Sequence, residues 1–294
     1  MTSRFFHAGE RLLQESVGLR DRLEKIAPLR ITESLSPDQQ QFLAERLFVA
    51  ISTVDASGRP WATIVSGEVG FIRPTSCSDF WFERYLSEQD PADAGLVQGG
   101  FISVLAIDQL TRQRLRINGR IVLVAGKKGF GVSVTTNYVN CAKYIVPRSV
   151  RSFPRKTHTI EAGETMTDAM RDLIAGADTF FLATCVHHSD AELSIGADVN
   201  HRGGQAGFVE IEADGTLSVV DYTGNNAFNS LGNILQNPKA GMLFVDFPTG
   251  TSLQMTGTAA VAMESDNRRR LRVKPGHYVM REGAFDLKWE PVQN

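Results

Sequence analysis

The sequence has little cysteine, and its charges nearly balance. Its three cysteines, Cys77, Cys141 and Cys185, lie far apart and form no CxxC pair. This pattern argues against a disulfide framework and predicts a reducing, cytoplasmic setting. The formal net charge of −2 gives no bulk attraction to nucleic acid or to an anionic membrane. No apolar run approaches the roughly 20 residues that span a bilayer, and the first residues lack the apolar stretch of a signal peptide.

Several motifs that identify enzyme classes are also missing. No G-x-G-x-x-G follows a strand, so no dinucleotide-binding βαβ unit is predicted. The glycine-rich segment 126–131 lacks the Lys-Ser/Thr ending of a P-loop, and no G-x-S-x-G is present. His187 and His188 have no spaced acidic or cysteine partner, so no metal site is predicted.

An internal repeat organises the chain. Residues 48–124 and 181–262 share the same succession of apolar runs, polar turns and glycines. In the last hairpin of each copy, Asp108 falls opposite Asp246 and Gly119 opposite Gly257, with the same offset and no gap. The repeat predicts two diverged copies of one structural unit.

The composition of each copy indicates antiparallel β structure. The apolar runs are short, rich in Val, Ile, Phe and Thr, and separated by turns such as Ala-Ser-Gly and Pro-Thr-Gly, which is typical of barrels and sandwiches. The predicted fold is mainly β with peripheral helices. Patterning and capping residues predict helices over 9–26, 36–45, 167–175 and 225–236. The predicted organisation is an N-terminal helical segment over 1–46, a first β unit over 47–146, a linker over 147–166 and a second β unit over 167–294.

The two copies differ most after their third strand. In the second copy, residues 221–233 are uncharged after Asp221 and place Asn226, Asn229 and Ser230 at the start of a predicted helix. A helix N-terminus has unpaired N–H groups and suits a phosphate, although the same residue types also cap helices without any ligand. The matching segment of the first copy, residues 82–100, is acidic and is predicted to repel an anion.

Two further segments carry reactive or polar groups. Residues 198–204 follow a strand and end in paired glycines, and the planar guanidinium of Arg202 matches phosphate oxygens. The alternative is a surface arginine beside a flexible turn. Residues 137–145 combine amide, phenol, thiol and ammonium groups. Cys141 is either a nucleophile assisted by Lys143 or a packing residue; the absence of a nearby histidine favours packing.

At these residues the sequence resembles the FMN-binding split-barrel superfamily of pyridoxamine 5′-phosphate oxidase-related proteins, and most closely a branch with two tandem split barrels. The resemblance rests on residues 5–10, 58–62, 137–145, 201–204, 224–233, 237–238 and 243–247, and it extends over most of the chain. It implies two tandem antiparallel split β-barrels that form a pseudo-dimer. It also implies FMN in the groove between them, with one strong site that belongs mainly to the second barrel.

The resemblance further implies a set of cofactor-binding residues. From the second copy it implies Asp198, Val199, Asn200, His201, Arg202, Asn226, Asn229, Ser230, Gln254 and Thr256. From the first copy it implies Asn137, Tyr138, Asn140 and Lys143. Tyr138 and His201 are the candidates for a general acid or base. The chain departs from the oxidases at Asn229–Leu231, where they carry a Ser-Arg-Lys run for the phosphate, so Arg202 and the helix N-terminus must do more here.

The function that the resemblance implies is an FMN-dependent oxidoreductase with a small-molecule substrate. No nicotinamide or iron–sulfur motif is present, so any electron-donating reductase is expected to be a separate polypeptide. Association of two chains into a homodimer stays open. Three alternatives are a non-enzymatic flavin carrier or sensor, a haem-binding or haem-degrading split barrel that uses His201 as its ligand, and a scaffold without a cofactor.

Overall fold

The computed structural model describes residues 3–84, 89–156, 158–224, 226–264 and 268–292. Within them the helices are α1 (Ala8–Ser16), α2 (Arg20–Arg30), α3 (Pro37–Ala44), α4 (Asp168–Gly176) and α5 (Asn229–Gln236). The strands of the first copy are β1 (Phe48–Val54), β2 (Pro60–Ser66), β3 (Ile72–Pro74), β4 (Asp79–Phe82), β5 (Phe101–Asp108), β6 (Gln113–Val124) and β7 (Phe130–Val139). The remaining strands are β8 (Arg148–Ser152), β9 (His158–Gly163), β10 (Thr179–Val186), β11 (Gly196–Gly203), β12 (Val209–Ile211), β13 (Leu217–Val220), β14 (Lys239–Asp246), β15 (Thr251–Met263), β16 (Arg269–Glu282) and β17 (Leu287–Pro291).

The two copies form antiparallel sheets of the same topology. The first sheet has the order β2-β1-β5-β6-β7-β4-β3, and the second has the order β11-β10-β14-β15-β16-β13-β12. Each strand of the first copy therefore has a counterpart at the same place in the second. The predictions of a mainly β chain and of an internal repeat are both confirmed.

A bulge beside one glycine occurs at the same place in both copies. The pairing of β6 with β7 shifts between Asn118 and Gly119, and that of β15 with β16 shifts between Thr256 and Gly257. A Cβ on Gly119 would overlap the carbonyl oxygen of Ser133, and one on Gly257 would overlap that of Lys274. Only glycine permits such a close approach of two backbones. The glycine match in the sequence therefore marks a shared structural requirement.

The two sheets pack face to face around a common apolar core. This core takes Phe48 and Leu105 from the first sheet, Phe181 and Leu243 from the second, and Trp289 from β17. Each of these side chains is at most 3% exposed, and complete burial of one such side chain contributes roughly 1.5–3 kcal/mol. The strands of the sheets are nearly continuous apolar runs because each sheet also packs on a core of its own on its other face.

The helices partly follow the sequence predictions. The single helix predicted over 9–26 is wrong: α1 and α2 are separate because Gly18 has a φ of +68°, which ends the first helix. The helix predicted from Asn225 begins at Asn229, and Asn225 itself lies outside the described residues. The predictions near α3 and α4 are confirmed within one residue at each end.

The segment between the copies is not irregular. Residues 147–166, which the sequence suggests as a linker, contain β8 and β9. β8 pairs with β17 near the C-terminus, and β9 pairs with β16. These pairings fasten the connection to the second copy. Within the described ranges, no helix is long and apolar enough to cross a membrane.

The bulge glycines should be intolerant of any side chain. Gly257→Ala is expected to lower the free energy of unfolding by roughly 1–3 kcal/mol, since the methyl group forces the backbone of β16 away. Gly276→Ala is the matched control, because the nearest atom to its Cβ is the Thr256 oxygen at 3.9 Å. Urea unfolding of both variants measures the difference, and equal stabilities would refute the requirement.

Candidate functional site

A cleft opens where the end of the first copy meets the second. About 890 Å³ of space lies between the loop after β7, strands β11 and β13, and the start of α5, and it is open to solvent on one side. The first copy lines it with Arg114, Asn140, Cys141, Lys143 and Tyr144. The second copy lines it with Asn200, His201, Arg202, Asp221, Tyr222, Asn226, Asn229 and Ser230, among others. Arg202 and Asn229, which the sequence singles out as anion ligands, thus face one common space.

The most unusual group in the cleft is a buried arginine that has no acidic partner among the described residues. Arg114 is 7% exposed, and within the described part of the chain its side chain makes one hydrogen bond, a long one of 3.4 Å from Nη2 to the backbone oxygen of Lys143. Its Nε atom meets no acceptor there. Burial lowers the pKa of Arg114 to about 10, which still leaves it charged at neutral pH. An unpaired buried cation is costly, so this position fits an anionic ligand.

Arg202, by contrast, has an acidic partner. Its Nη1 lies 2.9 Å from Oδ1 of Asp221, and Arg269 bonds the other carboxylate oxygen at 3.2 Å. One carboxylate therefore faces two guanidinium groups, so the three side chains together keep a net positive charge. The role of Arg202 as an anion ligand stays a prediction.

The start of α5 presents free backbone donors to the same space. No side chain caps this helix among the described residues, and its N-cap residue Phe228 has a φ of +61°. Asn226 and Tyr144 also have positive φ, so three of the four such non-glycine residues in the described ranges line the cleft. Conformations of this kind cost on the order of 1–3 kcal/mol and concentrate at ligand sites.

A buried ion pair between the two copies forms the floor beneath the cleft. Nη1 of Arg116 on β6 lies 2.5 Å from Oδ1 of Asp198 on β11, and its Nη2 donates to Asn200. Asn118 and Asn233 donate to the same carboxylate at 2.9 and 3.0 Å. Arg116 is fully buried and Asp198 is 5% exposed. The carboxylate is thus satisfied from both copies.

The N-terminal helix adds a titratable group to this floor. The backbones of α1 and α5 touch at Gly9 and Gly232, which brings Glu10 against the first turn of α5. Glu10 accepts hydrogen bonds from Asn229 Nδ2 at 2.6 Å and from the backbone of His7 at 2.9 Å. Burial raises the pKa of Glu10 to about 8. It also lines a small cavity with Tyr138, Asp198 and Asn229.

The repeat gives the cleft a counterpart elsewhere in the molecule, and at that counterpart, here called the closed position, protein side chains fill the space. Strand registers make Gln254 the counterpart of Arg116 and Thr63 the counterpart of Asn200. Both bond to the buried carboxylate of Asp90, at 2.8 and 2.5 Å, and Arg281 bonds it at 2.6 Å. An internal carboxylate therefore fills the place where the open side has its cleft. Asp90 belongs to the acidic segment 82–100 of the first copy, so one acidic residue of that segment is the carboxylate that closes this position. Residues 85–88 of the same segment lie outside the described ranges.

The predicted site residues divide into three groups. Asn140, Lys143, Asn200, His201, Arg202, Asn226, Asn229 and Ser230 line the cleft, and Tyr138 and Asp198 line the small cavity beside it. Four others do not reach it. Val199 lies in the core between the sheets, and Asn137 donates to Thr32 and Ser34. Gln254 and Thr256 are both buried and do not line the cleft: Gln254 bonds Asp90 at the closed position, and Thr256 donates to the carbonyl oxygen of Ala240.

Sequence reasoning missed Arg114, Arg116, Asn118 and Glu10. Three of these lie on β6, and the repeat contained a signal for two of them. Arg116 and Asn118 are the counterparts of Gln254 and Thr256. In a pseudo-dimer each site takes this hairpin from the other copy. The predicted residues Gln254 and Thr256 of the second copy therefore point to Arg116 and Asn118 of the first copy.

The two candidate acid–base residues have unfavourable pKa values for proton transfer near pH 7. Burial and the nearby guanidinium groups of Arg114, Arg148 and Arg202 lower the pKa of His201 to about 3. Both ring nitrogens of His201 lack a hydrogen-bond partner among the residues that the structure describes. Burial raises the pKa of the Tyr138 hydroxyl well above its usual range. A neutral imidazole and a protonated phenol are therefore the forms present at pH 7.

Comparison with known families identifies both copies. Residues 35–157 and residues 166–289 each match the family model described as pyridoxamine 5′-phosphate oxidase. No curated protein matches the sequence.

Solved structures of similar proteins are each matched by less than half of this chain. A putative pyridoxamine 5′-phosphate oxidase from Lactobacillus delbrueckii is 17% identical, with 37% of this chain and 94% of that chain covered and a TM-score of 0.28. An FMN-binding protein from Syntrophomonas wolfei is 12% identical, with coverages of 43% and 96% and a TM-score of 0.29. The haem storage protein HutZ from Vibrio cholerae is 9% identical, with coverages of 39% and 93% and a TM-score of 0.29.

The closed position should depend on the charge balance of its buried pair. Asp90→Ala is expected to cost roughly 3–5 kcal/mol of unfolding free energy, because it leaves Arg281 buried and unpaired. The double variant Asp90→Ala/Arg281→Met should recover most of that loss. Glu83→Ala, which breaks the exposed pair with Arg73, is the control and should cost at most about 1 kcal/mol. A small effect of Asp90→Ala on urea unfolding would contradict this assignment.

Glu10 should make stability depend on pH. Folding raises its pKa from the ordinary 4.5 to about 8, so the folded state binds this proton more tightly than the unfolded state. The free energy of unfolding is therefore expected to fall as pH rises from about 4.5 to 8, with a slope of up to about 1.4 kcal/mol per pH unit. Glu10→Gln should lose this component in urea unfolding across that range. Glu15→Gln, at an exposed position of α1, should keep the wild-type slope.

Proposed function

Because the chain belongs to the pyridoxamine 5′-phosphate oxidase family, we propose that it is a flavoprotein that holds one FMN in the cleft and uses it to oxidise or reduce a small molecule. The observation that carries the proposal is Arg114, a buried cation that faces the cleft without an acidic partner among the described residues. The uncapped N-terminus of α5 lies across the same space. Together they fit a phosphate monoester.

The phosphate would be held from both copies. Arg114 would contribute its charge, and the first N–H groups of α5 would contribute backbone hydrogen bonds aligned with the helix dipole. Lys143 lies at the same wall and adds a second cation. These groups take over the role of the Ser-Arg-Lys run of the oxidases, which this chain lacks at Asn229–Leu231.

When bound, the flavin would supply the hydride or electron transfer. Around it, Asn140 and Asn200 offer amide groups, and Ser230 offers a hydroxyl, for hydrogen bonds to the polar edge of a ring system. His201 stays neutral near pH 7 because of its lowered pKa, so it adds no further positive charge to a wall already rich in arginine. Glu10, whose raised pKa is about 8, is a carboxyl group beside the cleft that holds a proton at neutral pH.

The proposal also includes the identity of the flavin, the type of protein and its location. From the sequence and the family we expect FMN rather than another flavin, an oxidoreductase rather than a flavin carrier, and a cytoplasmic location. A separate reductase and a homodimer are expected partners on the same grounds. The domain division at 46, 146 and 166 is also retained as a prediction.

The phosphate assignment can be tested by comparing FMN with riboflavin. Arg114→Met is expected to weaken FMN binding roughly 10- to 100-fold, since a hydrogen bond to a charged group contributes about 1.5–3 kcal/mol. Riboflavin, which lacks the phosphate, should bind the variant and the wild type equally. Arg120→Met is the control, because Arg120 is on the same strand but is exposed and bonds Gly99. Titrations followed by flavin fluorescence give the four affinities.

Absorption spectra decide between the alternatives. A yellow complex of one FMN per chain supports the proposal, and a Soret band that disappears in His201→Ala would favour haem instead. Equal losses of FMN and riboflavin affinity in Arg114→Met would remove Arg114 from the phosphate site. If the protein binds neither flavin nor haem, the result favours the alternative of a scaffold without a cofactor.

A further inference from the structure

A second and larger space adjoins the cleft. It is a groove between α2, the end of β7 and the segment before α5, with about 1510 Å³ of space that includes open solvent at its mouth. Its walls are mainly apolar and include Phe6, Leu23, Ile26, Ala27, Ile31 and Val139. Leu29 and Val139 at its rim are 82% and 69% exposed. Exposed apolar side chains concentrated around one concave surface are typical of a binding site.

The groove adjoins the cleft. Asn140, Cys141 and Asn229 line both spaces, so a molecule in the groove would lie directly beside whatever the cleft holds. The groove is held in shape where the backbones of Thr32, which lines it, and Asn137 exchange hydrogen bonds at 3.1 and 2.7 Å. This pairing ties the chain after α2 to β7.

The groove carries a single formal charge among its described lining residues. Arg30, the last residue of α2, is exposed and has no carboxylate partner in the described ranges. The remaining polar lining consists of amides, hydroxyls and one thiol. A long apolar surface with one cation at its rim complements an amphiphile that has one negative charge.

We propose that this groove binds an apolar organic carboxylate, with the alkyl or aryl body against α2 and the carboxylate at Arg30. The inference rests on the proposed function only where it identifies apolar carboxylates as the substrate class, because that step places them beside a bound flavin. Binding in the groove itself does not require the flavin, because α2 and β7 form its walls without it.

The test uses the full chain and n-alkanoates of six, eight and ten carbons, measured by isothermal titration calorimetry with and without FMN. Affinity is expected to rise about fourfold per added methylene, the factor that corresponds to roughly 0.8 kcal/mol for each buried CH₂. Arg30→Gln should weaken decanoate about two- to fivefold, as the loss of an exposed ion pair does, and leave decanol unchanged. An affinity that does not depend on chain length, or an equal effect of Arg30→Gln on acid and alcohol, would overturn the proposal.

A second pair of variants tests the location. Val139→Asp places a like charge in the groove wall and should weaken decanoate at least tenfold, whereas Val122→Asp, at a 45% exposed position of β6, should not. Competition between decanoate and FMN would overturn the proposal, because the flavin would then occupy the groove. Concentration-dependent dimers that Val139→Asp disperses would overturn it in favour of a second chain. Decanoate binding without any FMN binding would refute the proposed function but not the groove.

Discussion

The ion pair between Arg116 and Asp198 joins the two copies at the floor of the cleft, and the open site depends on it. Because both groups are buried, each would be costly to leave alone. The amides of Asn118 and Asn233 complete the coordination of the carboxylate. Through Asn200 and Ser230 the same network reaches the start of α5. This network therefore links the start of α5 to the first copy.

The closed position shows what happens when this pair is absent. There Gln254 stands in place of Arg116, and the carboxylate comes from Asp90, which faces Arg281. The counterpart of Arg281 in the first copy is Asn140, which leaves room in the cleft. A homodimer of identical barrels would have to keep two equal sites. A fused pair can fill one with its own side chains and keep the other open.

The sequence determined the fold more completely than the site. The repeat was aligned correctly at Gly119 and Gly257, because the bulge glycine and the hairpin length are local features. The first strands were aligned two residues out of register, because the copies were started at residues 48 and 181. In the structure Val49 pairs with Ala106 and Phe180 pairs with Phe244; since Ala106 and Phe244 are equivalent, Val49 and Phe180 are equivalent too. A shift of two keeps every side chain on its face, so the pattern of apolar residues could not reveal it.

The site was harder to predict because its residues come from separate elements. Segments rich in polar side chains were found directly, since such residues stand together in the sequence at 198–202 and 226–230. Arg114 and Glu10 have no local pattern of their own. Arg114 is distinctive only because it is buried without a carboxylate, and Glu10 only because Gly9 and Gly232 let two helices meet. Burial and the choice of partner are properties of the assembled chain. Charges that become unusual through burial are thus the ones that sequence patterns miss, and in this protein they lie around the one space left open between the copies.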